Sequence, residues 1–382
     1  MNTRWLTTLV LGLTLAGPLA PAHAQTRLDA HRTLGAPHTF QNLTLFPVYD
    51  PNARAANAYI TLDEGLKAKT VQVQESQDGG DVNTLYVTNL GSKPVYLMAG
   101  EVVLGGQQDR CLGQDHVIAS GAKRTPVTVF CVEHGRWTGR ADFESSAPTL
   151  ASGDIRLKAQ ESNFYAERAV AQSASHAAGR ASASAAIVEG RVANVPIDSA
   201  AAVAGSSRVS SGQQGVWDKV AAKNARFKTQ SSTGTYRNTL TMAGGDAKRS
   251  IPAYDRALES SLGSDPHLIG VVACVNGKVI ACDLFDDPAL FHKLWPKLLR
   301  SYAADAVEKA PGKGGKARAV TADQVKAFYV AATDAKTTIE NRSEASTMLR
   351  LESKDATTYR LMSKKQAAGG AVGPLHEAVL HK

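Results

Sequence analysis

Residues 268–308 read LIGVVACVNGKVIACDLFDDPALFHKLWPKLLRSYAADAVE, and this stretch carries the strongest structural signals in the chain. Two apolar runs flank Asn276-Gly277, a dipeptide suited to the positive-φ positions of a two-residue hairpin turn. A β-hairpin over Leu268–Leu284 is therefore expected. Asp287 is placed to cap a following helix, and Pro288 suits its first turn. Leu290, Leu294, Leu298, Tyr302 and Ala306 then form one stripe at helical spacing, with Phe291, Trp295 and Leu299 beside it. Pro296 falls inside this pattern and is expected to bend or divide the helix.

Working outward, Leu43–Trp137 reads as β structure. Leu43–Phe46, Thr70–Gln74, Thr84–Thr88, Val95–Leu104, Val117–Ala119 and Val127–Val132 are apolar or alternating runs separated by turn clusters such as Asp78-Gly79-Gly80. Residues 166–212 shift to Ala, Ser and Gly with few aromatics and read as a surface excursion. Helical spacing resumes at Val216, Trp217, Val220, Ala221 and Phe227. Residues 309–318 (KAPGKGGKAR) read as a basic, Gly-rich loop. A capping box at Thr321 and Gln324 starts another helix, which buries Val325, Phe328, Tyr329 and Ala332. Short strands follow around Thr347–Leu351, Thr357–Met362 and Leu375–Leu380. The fold class is α+β, with a β-rich N-terminal half, then helices around a hairpin and short C-terminal strands. Residues 25–382 read as a single domain.

The amino terminus predicts export. Arg4 is followed by an apolar run from Trp5 to Leu15, helix-breaking Gly17, Pro18 and Pro21, and Ala22-His23-Ala24 before Gln25. This is the pattern a signal peptidase reads, with cleavage after Ala24. Spanning a bilayer takes about 20 apolar residues, which neither this run nor any later one reaches, so no transmembrane anchor is expected. The mature chain is expected to be periplasmic or secreted. A formal net charge of +8 favours anionic partners, but it is spread along the chain, which argues against nucleic acid.

Four Cys in an oxidising compartment invite pairing. Cys111 and Cys131 flank a candidate strand pair, and at most that one disulfide is expected. With a two-residue turn at Asn276-Gly277, Cys274 faces Val279 and Cys282 faces Val271. The hairpin thiols then leave opposite faces of the sheet and stay reduced.

No GxSxG elbow, Walker loop, GxGxxG fingerprint or HExxH helix occurs. The ten His are scattered without metal-ligand spacing, so neither a metal nor a cofactor is expected. The dense polar region is GEVVLGGQQDR at Gly100–Arg110, followed by PVTVFCVEHGRW at Pro126–Trp137. Each half places acid, Arg and amide or aromatic groups at the end of an apolar strand. Gly105-Gly106 lets the backbone approach a ligand or another strand closely. Arg110 and Arg136 offer planar forks for carboxylate or phosphate, Glu101 and Glu133 can orient them or act as a base, and Trp137 offers a stacking face. The structural alternative pairs Glu101 with Arg136 and Glu133 with Arg110, with Trp137 in the core. Cys131 reads as a structural thiol, because His134 lies three residues on and so on the other face of a strand.

The same two motifs resemble the ARG- and rhodanese-phosphatase-superfamily-associated protein domain, a prokaryotic family. LTLFPVYDP at Leu43–Pro51, YITLDEGL at Tyr59–Leu66, the VWDKV segment at Val216–Val220, VNGKVIACDLF at Val275–Phe285 and LWPKLLRSYAADAV at Leu294–Val307 fit it as well. The resemblance implies association with ADP-ribosylglycohydrolases and thus a nucleotide-derived ligand. It places the family's polar positions on Glu101, Gln108, Arg110, Cys131, Glu133, Arg136 and Trp137. The leading expectation is an exported domain that binds a small anionic ligand through these residues. The alternatives are a hydrolase using Glu101 or Glu133 as general base, with Arg110 or Arg136 stabilising the developing anion, and an envelope-interaction protein without a ligand.

Overall fold

The computed structural model describes residues 26–75, 83–136, 143–163, 199–241, 250–311, 318–335, 337–342, 346–363 and 374–382. The strands of the first half are β1 (Thr33–Leu34), β2 (His38–Phe40), β3 (Leu43–Tyr49), β4 (Ile60–Thr61), β5 (Val71–Gln74), β6 (Thr84–Asn89), β7 (Val95–Leu97), β8 (Glu101–Gly105), β9 (Arg110–Leu112), β10 (His116–Ile118), β11 (Thr125–Cys131) and β12 (Phe143–Leu150). Later come β13 (Leu268–Val275), β14 (Lys278–Phe285), β15 (Thr337–Arg342), β16 (Ser346–Glu352), β17 (Ala356–Ser363) and β18 (His376–His381). The helices are α1 (Leu62–Lys67), α2 (153–163), α3 (Ser199–Phe227), α4 (Arg237–Thr241), α5 (Ile251–Leu258), α6 (Pro288–Glu308) and α7 (Ala322–Thr333).

The hairpin β13–β14 is the centre of a nine-stranded antiparallel sheet ordered β1-β3-β13-β14-β18-β17-β16-β15, with β2 also on β3. Asn276 and Gly277 both take positive φ (51° and 77°), as the turn requires. Every residue of β13 is buried, because both faces of the sheet are covered. On one face Val271, Ala273 and Val275 pack with Leu290, Leu294, Leu298 and Tyr302 of α6. On the other, Val272 and Cys274 pack with Val325, Tyr329 and Ala332 of α7. Both helices start at the expected caps: Asp287 Oδ1 accepts from the Ala289 N–H at 2.9 Å, and Thr321 and Gln324 close a capping box. A six-stranded sheet (β12-β8-β9-β11-β6-β5) and a three-stranded one (β10-β7-β4) share a separate core of Val73, Leu85, Val87, Leu97, Ile118 and Val129. α6 lies between β12 and the hairpin and so joins the two halves. Among the described residues no helix is long and apolar enough to cross a membrane.

Several expectations are corrected. The run Val95–Leu104 is two strands, because Glu101 folds back on Met98: its N–H donates to the Met98 carbonyl at 3.0 Å, and its carboxylate accepts from the Met98 N–H at 2.8 Å. α6 runs undivided through Pro296, since the apolar residues before and after it pack into one core. α3 begins at Ser199, inside the stretch read as an excursion; Ala there is a strong helix former without an apolar stripe to announce it. Residues 164–198 and the signal segment 1–24 lie outside the described residues.

All four Cys are buried, and no disulfide joins them. Cys111 stands opposite Phe130 and Cys131 opposite Arg110, so the two thiols leave different faces of the β9–β11 ladder. Cys274 faces Val279 as expected, but a bulge at Ile280 shifts the register, and Cys282 faces Val272. The hairpin thiols consequently share the α7 face, reduced but not separated. Burial pushes the Cys131 thiol up to about 11, and Cys111 and Cys274 up to about 12. With so little thiolate, the native protein is expected to be inert to Ellman's reagent at pH 8 and to release four equivalents after denaturation. A denatured count of two would restore a disulfide.

Candidate functional site

The two motifs meet because β8 and β9 form a hairpin (Val103 opposite Arg110) and β11 pairs with β9 on its other side (Cys131 opposite Arg110). The turn between β8 and β9 therefore sits beside the segment that follows β11. Asp109 joins them: its carbonyl accepts from the Val132 N–H at 3.0 Å, and its N–H donates to Glu133 Oε2 at 3.2 Å. Its carboxylate accepts from the Gly105 N–H (3.2 Å) and the Thr235 hydroxyl (3.0 Å).

Arg136 closes the cluster. Its Nε donates to Glu133 Oε2 at 2.9 Å and its Nη2 to Asp109 Oδ1 at 3.1 Å, while Nη1 and Nη2 reach the carbonyls of Gly106 (2.9 Å) and Gly105 (3.2 Å). The hydrogen bond to Glu133 raises the Arg136 pKa further. Burial, then the neighbouring Glu133, raises that of Asp109. Gly106 is needed where it stands: φ is +53°, and a Cβ there would lie 2.3 Å from Phe143 Cζ and 2.7 Å from Glu75 Oε1.

Arg110 is held differently. It is only 2 % exposed, and its Nη1 donates to Gln108 Oε1 at 3.1 Å. Its Nη2 meets Glu75 Oε1 at 3.3 Å, and its buried Nε has no acceptor among the described residues. Glu75 also accepts from the Gln107 N–H at 3.0 Å.

Gln108, Arg110, Glu133 and Arg136 are thus brought together, with Cys131 beside them; its backbone is fixed at both N–H and carbonyl by the Gln213 amide (2.7 and 2.8 Å). Glu101 is elsewhere. It is 1 % exposed and bonds to Lys297 of α6, which also meets Asp63 at 2.6 Å. Burial raises the Glu101 pKa; against burial, Glu101 and Asp63 hold the Lys297 ammonium above its usual range. The expected pairs Glu101–Arg136 and Glu133–Arg110 are therefore replaced by Glu101–Lys297, Glu133–Arg136 and Glu75–Arg110. Trp137 lies outside the described residues. Reasoning from sequence missed Glu75, Gln213 and Thr235, which come from distant segments, and passed over Asp109 inside the quoted motif.

A second polar group is buried between the sheets. Asp283 of β14 accepts from both terminal nitrogens of Arg156 on α2 (2.7 and 3.2 Å) and from the Tyr302 hydroxyl of α6. His376 of β18 lies 3.2 Å from Asp283 through Nε2 and 2.6 Å from Asp115 through Nδ1. Arg156, Asp283 and His376 are all fully buried, which encloses the group away from any solute. Against burial, Asp115 and Asp283 lift His376 to about 9, so the group holds two cations and two anions at neutral pH. A third group places Asp154, Asp305 and Glu308 around a cation seat. The buried Lys223 ammonium fills it, 3.0 Å from Asp154 and 3.4 Å from Asp305 and bonded to Glu308.

No curated protein and no solved structure matches the chain. A sequence model of one family matches residues 31–373, a span that takes in the acid–arginine cluster, the hairpin and α6. The chain belongs to the ARG and Rhodanese-Phosphatase-superfamily-associated Protein domain family.

Proposed function

We propose that the chain is a binding domain that acts outside the cytoplasm and takes the anionic group of a small, nucleotide-derived ligand at Arg110. The observation that carries this reading is the state of Arg110: a buried guanidinium whose Nε has no acceptor among the described residues, with one long contact, 3.3 Å, to Glu75. An incoming carboxylate or phosphate that displaced Glu75 would gain a charge-assisted bond, and more if Nε became reachable. As it stands, three carboxylates (Glu75, Asp109, Glu133) face two guanidinium groups, so simple addition of an anion is unfavourable. Exchange of Glu75 for a singly charged ligand group leaves the balance unchanged. Export is supported by the signal pattern at residues 4–24, and the ligand class by the family resemblance. Binding is preferred to hydrolysis because Glu101 and Glu133 are each bound to a cation, Lys297 and Arg136, so neither is free to act as a base.

The competing reading, a scaffold clasp with no ligand, is favoured by the closure of Arg136 on two carboxylates and two carbonyls. Calorimetric titration with ADP-ribose, AMP and ribose 5-phosphate separates the two. Glu75→Gln removes the competing charge and is expected to tighten binding roughly tenfold, the scale of one charge-assisted contact. Arg110→Lys is expected to weaken it by a similar factor. If none of these compounds binds either the wild type or Glu75→Gln, the clasp reading stands and the binding reading fails.

A further inference from the structure

A second opening lies on the α7 side of the nine-stranded sheet, remote in sequence from the acid–arginine motifs. It is a cleft of about 490 Å³ between the last turns of α7, the segment at Asp29–Arg32 and Arg360 of β17. Three of its lining residues are tied to buried Glu377 of β18, 1 % exposed, which accepts from Arg32 Nη1 at 3.2 Å, from the Tyr329 hydroxyl and from Arg360 Nε. Arg32 is fully engaged, since its Nε goes to Asp29 and its Nη2 to the Tyr329 hydroxyl.

Arg360 is not. Glu377 anchors it through Nε alone, and its terminal nitrogens, with four N–H donors, have no acceptor among the described residues. Asp334, exposed on the same wall, has a carboxylate that no side chain or backbone N–H among the described residues meets. Val330, 45 % exposed, lines the same cleft and is one of two large hydrophobic side chains left open on the described surface.

We propose that this cleft binds a free α-amino acid with an aliphatic side chain: the carboxylate on the Arg360 fork, the ammonium on Asp334 and the side chain against Val330. The charge balance fits a zwitterion better than an anion. Asp29, Asp334 and Glu377 outnumber Arg32 and Arg360 by one, so a net negative ligand would meet a net negative site. A zwitterion adds no charge while pairing both open groups. Arg360 is pre-oriented by its buried anchor, which lowers the entropy lost on binding.

Isothermal titration of the whole chain with L-leucine tests this, alongside 4-methylpentanoate, which lacks the amine, and isoamylamine, which lacks the carboxylate. L-leucine is expected to bind, with either truncated probe at least tenfold weaker, the scale of one charge-assisted contact. Asp334→Asn removes an exposed group without a partner among the described residues, leaves the fold intact and is expected to weaken leucine binding by the same factor. Arg360→Gln is expected to weaken leucine and 4-methylpentanoate alike. Absence of leucine binding up to 20 mM, equal binding of a truncated probe, or unchanged affinity in Asp334→Asn would each overturn the proposal.

Discussion

Asp283→Ala is expected to destabilise the fold by roughly 3–5 kcal/mol at neutral pH, the range for removing one partner of a buried ion pair. The reason is what the carboxylate leaves behind. Arg156 is fully buried and its two terminal nitrogens both donate to Asp283, while the Tyr302 hydroxyl and His376 Nε2 face the same group. One substitution strands a guanidinium and a hydroxyl in the core and leaves the imidazole with Asp115 as its one remaining carboxylate. Urea unfolding of both proteins measures the difference, and a loss below about 1 kcal/mol would mean that the network is not closed as described. The same group sets a pH dependence. His376 is lifted to about 9 by Asp115 and Asp283 acting against burial, from about 6.5 when unfolded. A raised pKa contributes stability that is fully present below pH 6.5 and is lost as pH rises to about 9. At about 1.4 kcal/mol per pH unit of displacement, the loss is about 3 kcal/mol. The buried thiols, held protonated in the fold, add to the loss toward pH 9 in wild type and variant alike, because unfolded thiols ionise near about 8.5. Asp283→Ala removes one of the two carboxylates that hold the imidazolium, so its own loss between pH 6.5 and 9 is expected to be smaller.

What the sequence made legible is what short-range chemistry encodes. The Asn276-Gly277 turn, the caps at Asp287 and Thr321 and the α6 stripe each depend on residues within a few positions of one another, and each stands where it was expected. The two acid–arginine motifs were legible as neighbours because each ends a strand of one meander. Their partners were not. Glu101 and Lys297 are 196 positions apart, and Arg156 and Asp283 are 127 apart. Nothing local marks Lys297 as a buried counter-ion rather than a solvated side chain on an amphipathic helix. The thiols of the hairpin show how little is needed to invert a local inference. A single extra residue at Ile280 changes the face on which Cys282 emerges, because side chains alternate with a period of two. Asp283, a lone acid within the apolar run VIACDLF at Val279–Phe285, was the one visible sign of the buried network. A carboxylate in a strand covered on both faces needs a cation, and no motif said which one.

Lys223→Met is the other substitution with a large expected effect, and its size depends on pH. Lys223 of α3 is completely buried among Asp154, Asp305 and Glu308, whose ligand oxygens lie within 4.8 Å of one another. These acids come from α2 and from the last turn of α6, so the ammonium ties three helices at one point. Against burial, the surrounding carboxylates hold its pKa well above the ordinary lysine range; in turn it helps to keep Asp154 below the usual carboxylate range despite burial. Met keeps most of the side-chain volume but leaves three carboxylates facing one another without a counter-ion. The expected loss is roughly 3–5 kcal/mol at pH 7.5. Depressed Asp154 contributes stability to the wild type that fades as pH falls through its folded pKa. In the variant, mutual repulsion and burial raise the carboxyl pKa values above their unfolded ones. The folded state then binds protons more readily than the unfolded chain, and stability recovers as pH falls from 7.5 toward 5. Urea unfolding of both proteins at pH 7.5 and pH 5 gives the answer. A gap that narrows at pH 5 fits three acids repelling around an empty seat; a gap of the same size at both pH values would mean that Lys223 contributes packing alone.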